Sequence, residues 1–119
     1  MQQLGNEAYV AQKYIDSPLL IDGLKFDLRI YVLVYGVDPL RVYLFREGIG
    51  RFATEEYEKP QGKNMWNLFK HLTNYAINKD NENFYCNDES DGDEGHKWTL
   101  SSVLSTLEQM GFDTNLLMN

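Results

Sequence analysis

Three charged side chains alternate with apolar ones in the stretch KFDLR, residues 25–29. Because successive side chains of a strand point to opposite faces, Lys25, Asp27 and Arg29 would share one face of a strand. Two cations suit the oxygens of a polyphosphate, and a carboxylate accepts from a ribose hydroxyl. The motif therefore fits a nucleotide site, and it equally fits a solvated strand face that neutralises itself.

Two further groups of residues could join this chemistry. Arg51 follows the next apolar stretch and would add a third cation if that stretch pairs with the first strand. Arg41 and Arg46 would either add cations in the same way or lie in solvent. The segment KHLTNYAINK, residues 70–79, is dense in groups that form hydrogen bonds. Its Thr and Asn side chains are either helix caps or site residues, and the candidates are His71, Thr73, Asn74, Tyr75 and Asn78.

Composition and charge exclude several classes of protein. The net charge is −7, which argues against a phosphate-binding surface for nucleic acid. The single cysteine, Cys86, permits no internal disulfide and favours a reducing compartment. No stretch reaches the roughly 20 apolar residues of a membrane span, and the first residues do not resemble a signal peptide, so we expect a cytosolic protein.

Specific site motifs are also missing from the sequence. The stretch EGIG lacks the Lys-Ser/Thr pair of a phosphate loop and the spacing of a dinucleotide fingerprint. With His71 and His96 far apart, a histidine metal site is not expected. Residues 87–95, NDESDGDEG, do not follow the ligand order of a calcium loop and are interpreted as an exposed loop.

The periodicity of the chain predicts an α+β fold. Alternating apolar residues predict strands over 25–35 and 41–45, joined as a β-hairpin by GVDPL, with Phe26, Leu28, Ile30, Val32 and Val34 facing the core. REGIGR predicts a further turn. Short apolar runs precede the hairpin at 9–15 and 19–21, the second ending in an Asp22-Gly23 turn. NMWNLFKHL predicts a short helix, and a helix capped by Thr99 should run to Gly111. Asp113 is expected to cap another helix.

Taken together, VAQKYIDSPLLIDGLKFDLRIYVLV, DPLRVYLFREGIGRFAT and KHLTNYAINK resemble the tubulin tyrosine ligase-like family of ATP-grasp ligases. The resemblance extends from about residue 9 to the end and is greatest for the polyglutamylases, since LIDGLKFDLRIYVLV, GRFAT and GHKW are closest to those members. It implies a partial ATP-grasp domain, with residues 1–119 as its central part. We expect an internal fragment, incomplete at both ends.

The resemblance also implies roles for individual residues. Residues 12–15 match the segment that meets adenine, namely Gln12, Lys13, Tyr14 and Ile15. Lys25, Asp27 and the phosphate-side Arg29 match ATP contacts, as do Thr73 and Asn74 with His71 beside them. Arg51 matches the arginine that holds the carboxylate of the incoming amino acid, and Arg29 and Arg51 are the expected catalytic residues. Tyr75 and Lys97 match further amino-acid contacts, whereas Ala76 stands where family members often have Ser.

The implied activity is ATP-dependent amide formation between a protein glutamate side chain and free L-glutamate through an acylphosphate, with tubulin tails on microtubules as the protein substrate. The resemblance implies Mg²⁺ as well, with its ligands outside this chain, so the chain alone is expected to be inactive. The implied location is the cytoskeleton, including ciliary axonemes or basal bodies. Two alternatives stay open: a truncated non-catalytic binding fragment, and a member that adds tyrosine or glycine.

Overall fold

The computed structural model describes residues 8, 10–85 and 95–115. Within these ranges, four strands form one antiparallel sheet in the order β1-β2-β3-β4. The strands are β1 Leu20–Ile21, β2 Leu24–Val37, β3 Leu40–Phe52 and β4 Lys97–Thr99. The helices are α1 Leu68–His71, α2 Tyr75–Asn78 and α3 Leu100–Gln109. This arrangement confirms the predicted α+β class, with an antiparallel sheet followed by helices, and agrees with part of an ATP-grasp fold.

Both predicted turns around β2 are present. Asp22 and Gly23, which join β1 to β2, have φ values of 50° and 75°, a region where Asp and Gly are tolerated better than most residues. Asp38 and Pro39 lie at the tip between β2 and β3, and the strands pair from Val37↔Leu40 to Phe26↔Phe52. The predicted hairpin is therefore confirmed, and it is longer at both ends than the apolar alternation indicated.

The predicted turn in REGIGR is wrong, because β3 continues through it to Phe52. The glycines there serve close packing. A Cβ on Gly48 would lie 2.4 Å from the carbonyl oxygen of Arg29, and a Cβ on Gly50 would lie 2.5 Å from Cγ2 of Val103. Neither distance is possible for a real side chain, so glycine lets β3 approach β2 on one side and α3 on the other.

The prediction that five alternating residues of β2 face the core holds for only part of the strand. Phe26 and Leu28 pack against the core, whereas Ile30, Val32 and Val34 are 41%, 54% and 56% exposed. The reason is geometric: the outer half of the β2–β3 hairpin projects beyond α3, and no described element covers either of its faces.

The core lies where the inner half of the sheet meets α3. Its buried residues are Ile21, Phe52, Val103 and Leu107. The rings of Phe26 and Phe52 stack at 5.6 Å, and Phe52 lies 4.6 Å from Trp98 between centroids. As predicted, Thr99 caps α3: its side chain accepts from the N–H of Ser102. The helix ends before Gly111, whose φ is 92°.

The segments between the sheet and α3 are less regular. The helix predicted for NMWNLFKHL is limited to the single turn α1, whose N-cap Asn67 accepts from the N–H of Phe69. Residues 10–15 form no strand. Asp113 accepts from the N–H of Asn115 at 3.1 Å, but the rest of the helix predicted there lies outside the described residues. So do Tyr9, Cys86 and residues 87–94 of the acidic stretch.

Candidate functional site

A row of three charged residues crosses the inner half of the sheet. Asp27 on β2 is paired with Arg51 on β3, and Arg51 is paired with Lys97 on β4. Side chains at directly opposite positions of antiparallel strands lie on the same face and close together. The sheet therefore brings one carboxylate and two cations together from residues that are distant in sequence.

Arg51 is held by Asp27 through a two-pronged contact. Its Nε donates to Oδ1 of Asp27 at 2.9 Å, and its Nη2 donates to Oδ2. The hydrogen bonds with Asp27 raise the pKa of Arg51 above its ordinary value. A guanidinium carries five N–H donors in a fixed fork, so this contact fixes its orientation and leaves the remaining donors for another acceptor.

The other charges of KFDLR lie beside this row. Arg29 is more than half exposed, and its Nε is 3.9 Å from Oδ2 of Asp27. Lys25 sits at the opposite end, where it donates to the carbonyl oxygen of His71 at 2.8 Å and to the hydroxyl of Tyr14 at 3.2 Å. The alternation in the sequence therefore produces a continuous charged strip on one face of β2, as the spacing predicted.

A cavity of about 390 Å³ opens beside the row. Arg51 and Lys97 line it, and no carboxylate is among the described residues that do so. Its walls combine aromatic rings with hydrogen-bonding groups. The residues that line it are Ile49, Arg51, Phe52, Thr73, Tyr75, Asn78, Phe84, His96 and Lys97. Two neighbouring cations at directly opposite positions repel each other, so an anionic ligand would be favoured there.

The segment 72–78 forms one side of this cavity, and Asn78 holds it in place. Asn78 is fully buried. Its Oδ1 accepts from the N–H and the hydroxyl of Thr54, at 3.1 and 2.8 Å. Its Nδ2 donates to the carbonyl oxygens of Leu72 and Asn74, at 2.8 and 3.1 Å. This amide therefore fixes Thr73 and Asn74 relative to the end of β3. Thr73 is buried, whereas Asn74 is exposed.

A second, more open groove runs along the segment before β1. It has a volume of about 660 Å³ and includes all four residues expected to meet adenine. Its lining residues are Gln12, Lys13, Tyr14, Ile15, Ser17, Pro18, Leu19, Lys25 and Phe26. Lys25 lies 4.6 Å above the ring of Tyr14, which is a cation–π contact. Lys25 thus belongs to both the charged strip and this groove.

His71 contacts two residues of this groove, Tyr14 and Lys25, and both of its ring nitrogens are engaged. Nε2 is 3.1 Å from the carbonyl oxygen of Asn64, and Nδ1 is 3.3 Å from the hydroxyl of Tyr14. Because a carbonyl can only accept, Nε2 carries the hydrogen and Nδ1 accepts from Tyr14. Burial, and then a hydrogen bond with Tyr14, raise the pKa of the nearby Tyr57 hydroxyl to about 12. His71 therefore holds the hydroxyl of Tyr14 through its ring and Lys25 through its carbonyl oxygen. Its contact with ATP stays a prediction.

Three residues near these cavities were not predicted from the sequence as site residues. Phe84 and His96 line the cavity beside Arg51, and Tyr57 packs edge-on against His71. The signals available for Phe84 and His96 were the aromatic character of NFY, residues 83–85, and the GHKW motif. Neither has a period that would place it beside β3, because the contacts depend on where an irregular segment returns to the sheet.

The parts of the chain that the structure describes contain neither a group of three metal-ligating side chains nor a membrane-spanning helix. Among residues 8, 10–85 and 95–115, no three His, Cys, Asp or Glu side chains are grouped to hold a metal ion. No helix among them has the length and apolar character needed to cross a bilayer.

Comparison with known proteins gives a consistent result. The model of the tubulin-tyrosine ligase family matches residues 1–119. A probable beta-tubulin polyglutamylase of Tetrahymena thermophila is 55% identical over 94% of the chain, and human tubulin polyglutamylase TTLL5 is 48% identical over 94%. Mouse tubulin monoglutamylase TTLL4 is 44% identical over 91%. The chain spans 10%, 9% and 9% of the lengths of these three relatives.

The match over the whole chain agrees with the resemblance carried by KFDLR, GRFAT and KHLTNYAINK, and with the α+β arrangement of the sheet and helices. The chain belongs to the tubulin-tyrosine ligase family.

Proposed function

We propose that this chain is the ligand-binding part of an ATP-dependent ligase that joins free L-glutamate to the side-chain carboxylate of a protein glutamate. The observation that supports this best is the row Asp27–Arg51–Lys97 beside a cavity without described carboxylates. A ligand with two carboxylates matches two neighbouring cations better than an amino acid with one.

The nucleotide would occupy the groove over residues 12–19 and the charged strip of β2. The backbone and apolar atoms of residues 12–15 suit a flat base. Lys25 and Arg29 would attract the phosphates, and Asp27 has acceptor sites that Arg51 does not fill, which suits a ribose hydroxyl. Thr73 and Asn74 would supply further contacts, with His71 fixing the position of Lys25 through its carbonyl oxygen.

The amino acid would occupy the cavity of about 390 Å³. Arg51 would hold its α-carboxylate with the donors that Asp27 leaves available. Lys97 and the hydroxyl of Tyr75 would contact the other polar groups of the ligand. Because Asp27 touches Arg51 directly, the two binding sites would share a boundary, and the α-amine would face the phosphate end of the charged strip.

The reaction would proceed in two steps. A carboxylate oxygen of the protein glutamate attacks the γ-phosphorus of ATP, ADP leaves, and an acylphosphate forms. The α-amine of free glutamate then attacks the acyl carbon, phosphate leaves with the electron pair of the broken C–O bond, and the amine loses a proton. Arg29 would stabilise the charge that develops on the transferring phosphoryl group. The described residues include no group of three side chains that could hold Mg²⁺.

Tubulin is the proposed protein substrate, because the relatives reported above are tubulin polyglutamylases and a tubulin monoglutamylase. The proposed location is the cytoskeleton, including cilia. With a net charge of −7, this chain would repel acidic tubulin tails. A basic surface elsewhere in the gene product would have to attract them.

The competing functions make different predictions. A member that adds tyrosine or glycine would need only one carboxylate contact, so Lys97→Ala would leave its activity unchanged. A non-catalytic binding fragment would bind ATP without transferring any amino acid. Intact-mass spectrometry of the gene product captured from its source cells comes first, because a product of 119 residues would favour the binding fragment.

Arg51→Ala in the full-length gene product tests the proposal directly. We expect loss of ATP-dependent transfer of labelled glutamate to tubulin, while ATP still binds. Arg41→Ala, on the exposed outer half of the hairpin, is the matched control and should behave as wild type. Loss of ATP binding in Arg51→Ala, or full transfer by that variant, would refute the role of Arg51.

A further inference from the structure

His96 lies on the wall of the cavity opposite the charged strip of β2. It directly precedes β4 and lines the same cavity as Arg51 and Lys97. Its ring stacks on Phe84, with centroids 5.7 Å apart and planes at 23°, and Phe84 in turn contacts the ring of Tyr75. Stacking of this kind limits the rotation of an imidazole, so the position of His96 in the wall is well defined.

The backbone of Tyr85 determines which nitrogen of His96 carries the hydrogen. The N–H of Tyr85, which can only donate, lies 3.2 Å from Nδ1. The carbonyl oxygen of Tyr85 is farther from Nδ1, at 3.4 Å, and it already accepts from the backbone N–H of His96 at 3.0 Å. The neutral ring therefore accepts at Nδ1 and carries its hydrogen on Nε2. Among the described residues, Nε2 has no acceptor. A half-buried donor that lines a cavity, with no acceptor in the described part of the chain, is suited to a ligand acceptor.

We propose that His96 is a specificity-determining residue that donates from Nε2 to the side-chain carboxylate of the bound amino acid. This inference rests on the proposed function and identifies the residue that contacts the side-chain end of the amino-acid substrate. The strand order sets the direction: Asp27 is on β2, Arg51 is on β3, and His96 directly precedes β4. Neighbouring strands are about 4.8 Å apart. His96 is thus two strands, roughly 10 Å, from the charged strip where the α-amine must react.

This geometry places the two carboxylates of the ligand at different residues. The α-carboxylate must stay beside the α-amine, close to the strip, where Arg51 has donors left over from Asp27. The side chain then extends away from the strip, towards the wall formed by Phe84 and His96. Amino acids without a second carboxylate would leave the donor of His96 unpaired, which disfavours them.

The test compares two replacements of His96 in the full-length gene product. In His96→Asn the side chain still offers an acceptor near Nδ1 for the N–H of Tyr85, but nothing reaches the position of Nε2. In His96→Gln the side chain places a donor near Nε2 and gives up the contact with Tyr85. If His96 has only a structural role, the Asn variant should therefore keep more of the activity with glutamate. If His96 contacts the ligand, the Gln variant should keep more of it.

We expect the KM for glutamate to rise about tenfold in His96→Asn, with the KM for ATP changed by less than about twofold. His96→Gln should stay within about threefold of wild type for both substrates. The inference is overturned if wild type transfers glutamate and His96→Asn matches it, or if the Gln variant is the more impaired of the two. A wild-type protein that transfers no glutamate would instead refute the proposed function, and this inference with it.

Discussion

Asp27 and Arg51 lie opposite each other on β2 and β3, and the guanidinium of Arg51 donates to both oxygens of the carboxylate. They come from KFDLR and GRFAT, two motifs separated by a long hairpin in the sequence. Their contact joins the strip proposed to hold the nucleotide to the cavity proposed to hold the amino acid. Arg51 is therefore oriented by a residue of the other site.

This contact makes Arg51→Lys a severe change. An ammonium cannot reproduce two parallel hydrogen bonds and still present further donors to a ligand. We expect kcat/KM for glutamate to fall about 30-fold, with the KM for ATP nearly unchanged. Steady-state assays with each substrate varied in turn measure both values. Arg41→Lys is the control, and a normal kcat/KM in Arg51→Lys would show that a single positive charge suffices.

The charged strip was predictable from sequence, while its partners were not. Alternation in KFDLR correctly put Lys25, Asp27 and Arg29 on one face, because the period of a strand is fixed. The position of Lys97 beside Arg51 depends on β4, a strand of three residues with no detectable period. Asn78 is a similar case: four hydrogen bonds converge on it from segments whose approach is set by packing and not by local propensity.

The glycines of β3 illustrate the same limit. The sequence predicts Gly48 and Gly50 as turn residues, since glycine most often marks a turn. In the structure both lie within β3, at points where another part of the chain approaches too closely for a side chain. Sequence alone does not distinguish a glycine needed for its backbone freedom from one needed for its small size.

Gly48→Ala should therefore be destabilising. The new Cβ would overlap the carbonyl oxygen of Arg29, and a backbone atom in a paired strand has little freedom to move. We expect a loss of about 2 kcal/mol or more in the free energy of unfolding. Gly62→Ala is the matched control, because no atom lies within 4 Å of its added Cβ. Urea unfolding of both variants measures the difference, and equal midpoints would contradict the close approach of β2 and β3.

A pH-dependent contribution to stability is expected from Glu47. Its carboxylate accepts from the N–H of Gly48 and from the N–H and hydroxyl of Ser101 in the first turn of α3. These hydrogen bonds, that of Gly48 foremost, lower the pKa of Glu47 below its ordinary value. A lowered pKa in the folded protein stabilises it above the unfolded pKa of about 4.3, and this contribution is lost as the pH falls through the folded value.

Glu47→Gln should consequently unfold at a lower urea concentration than wild type at pH 7, and the gap should narrow towards pH 3. Glu82→Gln provides the control, since Glu82 is exposed. Urea midpoints measured from pH 7 to pH 3 for the three proteins give the comparison. A gap that stays constant with pH would mean that the ionised carboxylate of Glu47 is not what holds the start of α3.

Asn78 gives the sharpest test of how the cavity wall is held. Asn78→Ala would leave the N–H and hydroxyl of Thr54 and the carbonyl oxygens of Leu72 and Asn74 without their partner. Buried polar groups left unpaired are costly, so we expect local opening of residues 72–78 to become easier by about 2 kcal/mol, or roughly 30-fold in hydrogen exchange.

Hydrogen exchange with mass spectrometry of the peptide covering 72–79 measures this change, with Asn83→Ala, at an exposed position, as the control. Asn78→Asp is informative as well, because a carboxylate keeps the acceptor for Thr54 but cannot donate to Leu72 and Asn74. At pH 7 the protection of this peptide in Asn78→Asp should lie between those of wild type and Asn78→Ala, or below that of Asn78→Ala, since a buried charge would face two carbonyl oxygens. Protection equal to wild type in both variants would mean that the segment carrying Thr73 and Asn74 is held by other contacts.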